Sequence, residues 1–325
     1  MKNHSFRRNI LLLSSIILVL TIGLVTPQVF AAEGDVLSVL DCAGDGVGIG
    51  FDGTTLYWLD FIGDTLHRCD TAGSPLADIP ISGCTATVIS WDSTRGMFWG
   101  ASSTSISLID SATGNCTPQF TITDTPGNCD NGFGCSSLID GIAYDGTSDT
   151  VWWSPDGSQR AYQYDTADGS LVSFFDVNDP PDDQIAECGF NYQSGLAAGS
   201  TDVMWVGANG CTEIFKFTKT GTKLTSINLG LGRTEDLECD SVTFPGVDAI
   251  WTKDAFDTEL TAFEVADGTC TLGGGIPETP VGGSIIPIDT TSLLIAGAFT
   301  NGIWIAPVLA GVVGTVTFYL KKRKN

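Results

Sequence analysis

The groups in this chain most able to do chemistry are carboxylates and cysteines. The densest acidic run is DVNDPPDD, which carries Asp176, Asp179, Asp182 and Asp183. Grouped carboxylates hold hard cations, or act as acid and base in glycoside hydrolysis. The two prolines keep this run out of helices and central strands, so it reads as a loop. Its spacing departs from the EF-hand pattern. These four aspartates are the candidate metal ligands, with calcium the ion they would take; the simpler reading is a solvated loop, with no cofactor. No nucleophile elbow of the G-x-S-x-G kind is present. His67 is the one histidine beyond the first 31 residues, and no C-x-x-C occurs, which argues against a Cys/His zinc site. The N-C-T at Asn115 has the form of a glycosylation sequon, but its middle residue is a cysteine.

The elements that must position these groups lie between two apolar ends. Met1 to Arg8 carries Lys2, Arg7 and Arg8 and no acid. An apolar stretch from Ile10 to Val25 follows, then VFAA at 29–32, the order of a secretory leader, here assigned to 1–31. A retained N-terminal membrane helix is the alternative. At the other end, Ile303 to Leu320 is uncharged and precedes KKRKN. As a helix it would be about 27 Å long, close to the ~30 Å hydrocarbon core. Its basic tail, 321–325, is expected to stay cytoplasmic. The reading is a single-pass protein with residues 32–275 on the outer face, a linker at 276–290 and a hydrophobic anchor at 291–320. A buried core helix is the alternative for the tail.

Without leader and tail, 8 basic residues stand against 38 acidic ones, a formal charge of −30. Such a surface repels nucleic acid and attracts cations. Solubility in salty surroundings accounts for it as simply as a cation-binding role does.

Between the ends, one phrase recurs. GIGFDGTTLYWLDF at 48–61 returns as GIAYDGTSDTVWWSPD at 141–156. Its core is an aromatic residue, a turn, and a Trp seven or eight residues later: Phe51 and Trp58, Trp91 and Trp99, Tyr144 and Trp152, Phe244 and Trp251. In the fourth copy Ala198 takes the aromatic place before Trp205. The Trp spacings are 41, 53, 53 and 46. A second phrase follows each Trp and ends at Gly73, Gly114, Gly169, Gly221 or Gly268, where a turn needs positive φ. Each unit supplies about four strands with no helical period between them. Four antiparallel strands repeated every 40 to 50 residues predict a β-propeller, whose stacked sheets bury the faces that none could bury alone. Five blades are expected from Val47 to Gly275, with DVLSVLDC completing the last one. A sixth would need strands near 120–138 or 176–192. A two-sheet sandwich is disfavoured by five phased copies.

Nine of the ten cysteines follow this phasing, Cys129 being the odd one, and in an exported chain an even number reads as up to five disulfides. One bridge per blade is expected: Cys42–Cys69, Cys84–Cys116, Cys129–Cys135, Cys188–Cys211 and Cys239–Cys270, although other pairings are open.

Two resemblances add to this. GIGFDGTTLYWLD and GIAYDGTSDTVWW resemble propellers of the NHL-like and streptogramin-lyase-like family, over residues 35–275. Lyases of that family rely on histidines in a central funnel, and this chain has only His67, in a strand expected to lie outside. IPIDTTSLLIAGAFTNGIWIAPVLAGVVGTVTFYLKKRKN resembles the C-terminal anchor of surface proteins of ammonia-oxidising archaea, a tail that sorting enzymes sometimes remove. It implies location alone. The expected function is a cell-surface propeller that binds or builds without catalysis, with the membrane and an envelope protein, a glycan or a cation as partners and no nucleic acid. The alternative is an extracellular metal-dependent hydrolase, lactonase-like or lyase-like enzyme.

Overall fold

The computed structural model describes residues 32–125, 139–155, 160–177, 193–200, 202–208, 213–231 and 233–270. The expected leader, linker, anchor and tail lie outside the described residues. No helix among the described residues is long and apolar enough to cross a membrane.

The described elements are all strands. β1 (Val36–Asp41) comes first. The first blade is β2 (Ile49–Phe51), β3 (Thr55–Trp58), β4 (Thr65–Asp70) and β5 (Ile79–Pro80). The second is β6 (Val88–Asp92), β7 (Met97–Ser102), β8 (Ser105–Asp110) and β9 (Cys116–Thr121). The third is β10 (Ile139–Asp145), β11 (Thr150–Pro155), β12 (Arg160–Asp165) and β13 (Leu171–Asp176). The fourth is β14 (Gln193–Ala198), β15 (Met204–Ala208), β16 (Glu213–Phe217) and β17 (Lys223–Asn228). The fifth is β18 (Glu235–Asp240), β19 (Asp248–Lys253) and β20 (Glu259–Val265), with β1 as its outer strand. Neighbouring strands pair antiparallel throughout. The protein is a five-bladed β-propeller closed by its N-terminal strand. The innermost strands β2, β6, β10, β14 and β18 pack against one another in a ring around the axis.

The core falls into wedges between blades. An aromatic on each second strand fills the wedge toward the next blade: Trp99 with Tyr144, Trp152 with Leu196, Trp205 with Leu237, Trp251 with Phe51. In the first blade this residue is Tyr57, packed with Ile89 and Phe98, whereas Trp58 faces the fifth blade. Register makes the same correction. Tyr57 pairs with Gly50, two residues before Asp52, as Trp99 pairs with Ser90, two before Asp92. Likewise Cys239, not Phe244, precedes Asp240 at the end of β18, and Phe244 lies in the turn that follows.

The aspartate ending the inner strand is the reason for this pattern. One oxygen of Asp92 accepts the indole N–H of Trp99 at 3.0 Å, and the other accepts the turn amides of Thr94 and Arg95 at 2.9 and 3.0 Å. Asp240 does the same for Trp251 at 2.8 Å and for Val242 and Thr243. Asp52 serves the Tyr57 hydroxyl at 2.9 Å and the amides of Thr54 and Thr55. Asp145 reaches Trp152 at 3.5 Å. In the fourth blade the equivalent place is Gly199, and the Trp205 indole donates to the Thr269 carbonyl of the next blade instead, at 3.4 Å. A buried indole N–H needs such an acceptor, so one carboxylate fixes both the turn and the wedge.

The second phrase closes the outer turns. Gly114 has φ +71°, and a Cβ there would lie 2.1 Å from the Pro80 carbonyl of the preceding blade. Gly169 has φ +72° and sits on the Phe120 ring in the same way. These glycines allow blade edges to touch as well as turns to form.

Three disulfides are described, Cys42–Cys69, Cys84–Cys116 and Cys239–Cys270, and all three pairs match the sequence expectation. The other two expected pairs lie outside the described residues. Cys42 follows β1 and Cys69 is in β4, so this bridge joins the closing strand of the fifth blade to the first rather than stapling one blade.

Replacing Asp240 by Ala should cost about 3 kcal/mol in urea unfolding, because it strands a buried indole N–H and two turn amides. Asp70→Ala, at an outer turn, should lower the urea midpoint by clearly less than Asp240→Ala does. Separately, replacing Cys42 and Cys69 together by Ser should lower stability by about 3.5 kcal/mol through chain entropy, read by the same method.

Candidate functional site

An inner strand has one edge paired to its own blade and one edge facing the axis. Every second amide on that edge has no strand to pair with, and a buried N–H without an acceptor is costly. The sequence of β18, EDLECD, supplies acceptors. Its period of two places Asp236, Glu238 and Asp240 on one face. Asp236 is fully buried. It accepts from the Ile49 amide of the first blade at 3.2 Å and from its neighbour Leu237 at 3.1 Å, and the Ile89 amide of the second blade also bonds to it. Glu238 is buried too; it accepts the Trp91 amide at 3.1 Å, with the Cys239 amide and Ser90 hydroxyl as further partners. Ser90 in turn accepts the Tyr144 amide of the third blade at 3.0 Å. Two carboxyls and one hydroxyl thus tie four blades together across the axis.

Desolvation dominates the protonation of this pair. Burial raises the Asp236 carboxyl well above its ordinary value, and the backbone amides offset only part of that rise. Burial likewise pushes Glu238 up to about 8. The charge felt by Asp236 is that of Glu238, and the charge felt by Glu238 is that of Asp240, both acidic.

At the start of β18 lies a second polar group. Glu235 pairs in register with Lys253 of β19 and has the Arg233 guanidinium 3.5 Å away. Lys253 is 1% exposed, and burial depresses its amine to about 8 against the pull of Glu235 and Asp254. Its ammonium donates to the carbonyls of Gly46 and Asp254, and so fastens the fifth blade to the connection entering the first. Arg233 also lies over the ring of exposed Phe256, whose other neighbour is Phe61 at 5.7 Å.

At the opposite end of the inner strands, Arg95 links the second and third blades. It meets Asp92 at 2.6 Å and Asp149 at 2.8 and 3.0 Å. Asp149 has φ +51°, the place where the second blade has Gly96. That backbone costs a non-glycine residue about 1–2 kcal/mol, and it puts the carboxylate against Arg95. The guanidinium holds Asp149 below its ordinary carboxylate range. Lys219 of the fourth blade makes the matching contact with Asp145, at 2.7 Å.

Of the four aspartates singled out by sequence, Asp176 ends β13 and pairs with Arg160. Asp179, Asp182 and Asp183 lie outside the described residues. His67 is on β4, the third strand from the axis, stacked on Trp58 at 5.2 Å with its Nδ1 3.2 Å from Asp78. Asn115 contacts the Ser82 hydroxyl, and the cysteine after it is bridged. Among the described residues no three His, Cys, Asp or Glu side chains are grouped to hold a metal. The axial acids were not singled out by sequence reading. The alternating carboxyls of EDLECD, in a segment that the repeat makes an inner strand, were the available signal.

No protein-family model matches the chain, and no curated protein matches it. Solved structures with a similar course include a luciferin-regenerating enzyme, 13% identical over 74% of this chain and 96% of that one, with a TM-score of 0.47. Glutaminyl cyclase of Myxococcus xanthus is 11% identical, covers 71% and 95%, and has a TM-score of 0.49. Regucalcin from Agrobacterium tumefaciens, a calcium-binding protein, is 15% identical, covers 76% and 98%, and has a TM-score of 0.48.

Arg95→Met should destabilise the protein by about 3 kcal/mol at neutral pH, since it takes from buried Asp92 the guanidinium that faces it. The Asp149 contribution is present above the ordinary carboxylate range and is lost as pH falls through its depressed value. The gap between wild type and variant in chemical denaturation should therefore narrow in acid.

Proposed function

We propose that the protein is an exported, membrane-anchored β-propeller of the cell envelope that binds or builds without chemistry of its own. Its ligand would be an envelope protein, a glycan or a cation. The observation that carries this reading is the use made of the axial polar groups. Asp236, Glu238 and Ser90 stand where a propeller funnel would present groups to a substrate, and each is engaged by backbone amides of other blades. The inner-strand aspartates are likewise occupied by indoles, a phenol and turn amides. Three disulfides fit an oxidising compartment, and the apolar ends of the sequence supply the route out and the tether. Ligand would then meet the two ends of the ring and the acidic outer surface.

The test has two arms. Protease added to intact cells should remove the propeller without lysis, leaving a short membrane-bound fragment. The purified protein should leave ester and lactone substrates unhydrolysed, with or without added calcium. Stoichiometric calcium together with hydrolysis would overturn the reading in favour of a metal-dependent enzyme, and a protease-resistant protein would overturn its location.

A further inference from the structure

We propose that the ring carries an acid-favoured lock at its axis, in which Asp236 and Glu238 hold their protons while they tie the blades together, and that alkali releases it. The geometry is a pair of carboxyls two residues apart on β18, both buried, reaching amides of the first and second blades. Two carboxylates sharing a dry site do not both ionise unless a cation accompanies them.

The surrounding elements supply little compensating charge. β2 and β14 contain no titratable residue. β6 ends in Asp92, whose charge is met by Arg95. β10 carries Asp140, Tyr144 and Asp145, and Asp145 is met by Lys219. β18 adds Glu235 and Asp240, both acidic. On β19, Lys253 stands opposite Glu235 rather than opposite the pair, and it donates to backbone carbonyls. Among the described residues an anion formed at Asp236 or Glu238 therefore gains amide donors but no countercharge, and it meets a second carboxyl on the same face of the strand.

The sign follows from linkage. Both carboxyls bind protons more tightly in the folded ring than in the unfolded chain, where they titrate in the ordinary range. Their contribution is complete below the ordinary carboxylate range and declines as pH rises through it, continuing to the raised folded values, about 8 for Glu238. Lys253 acts in the opposite sense, but only above its own depressed value of about 8. Aspartates with lowered values, such as Asp149, act below the ordinary range. Asp248 and Glu264 also lie above their ordinary values, chiefly through burial, so the window from about pH 5 to about pH 8 is shared among raised carboxyls, and the two variants isolate the part that belongs to the axial pair.

The experiment is thermal unfolding of the full chain in detergent across that window, for wild type, Glu238→Gln and Asp236→Asn. The amide side chains keep an acceptor for the backbone donors and cannot ionise. The wild-type Tm should fall by about 5 °C from about pH 5 to about pH 8, and each variant should show a clearly shallower fall. Infrared difference spectra of the wild type read the protons directly. A protonated-carboxyl stretch should persist in the folded protein at neutral pH. A wild-type Tm that is flat or rises across the window would overturn the proposal, as would variants whose profiles run parallel to wild type. If the variants do not fold, the absence of the protonated-carboxyl stretch from the wild type would overturn it alone.

Discussion

A small ring of sheets has a problem at its centre that a single sheet does not. Each blade turns one strand edge inward, and the amides on those edges have no neighbouring strand to receive them. Here most of the solution comes from one strand. Asp236 and Glu238 accept amides from the first, second and fifth blades, and Ser90 passes the arrangement on to the third. At the axis, carboxyl oxygens of β18 stand between the inner strands and receive their amides.

Around this axis the blades are separated by aromatic wedges, and in four of the five the wedge residue is held by an aspartate. The arrangement combines a large apolar payload with a single directional bond. It also explains the tolerance of the repeat. The fourth blade lacks the aspartate, yet Trp205 keeps its place by donating to a carbonyl of the next blade. The first blade has a phenol in place of the indole and keeps the aspartate. Burial and the adjacent Asp52 push that phenol up to about 12, so it remains a donor through the neutral range.

Much of the architecture could be read from sequence because the wedges demand large residues at a regular interval. Five units, the closing strand and three cysteine pairs were all legible in this way. The phasing errors have one cause. Turns between first and second strands differ in length, and counting from an aromatic to the next Trp selects Trp58 in place of Tyr57 and Phe244 in place of Cys239. Register, rather than count, identifies the true equivalents. The axial acids were harder. Glu238 meets the Trp91 amide 147 residues away, and Asp236 meets Ile49 at a separation of 187. No local pattern announces partners so distant. In a chain with 38 acidic residues, three carboxyls at alternate positions of one strand do not stand out. The attention-drawing run at 176–183 contributes one described residue, Asp176, and it is paired with Arg160.

The bridge from Cys42 to Cys69 fastens the end of β1, which pairs with β20 in the fifth sheet without being its neighbour in sequence, to a strand of the first blade. A closing strand held by hydrogen bonds alone can detach and be offered to another copy, the route by which propellers and sandwiches exchange segments. Here a detached β1 would remain tethered beside its own vacancy, at a high local concentration that no neighbouring molecule could match. Where identical chains stand side by side, this linkage favours keeping each ring to itself.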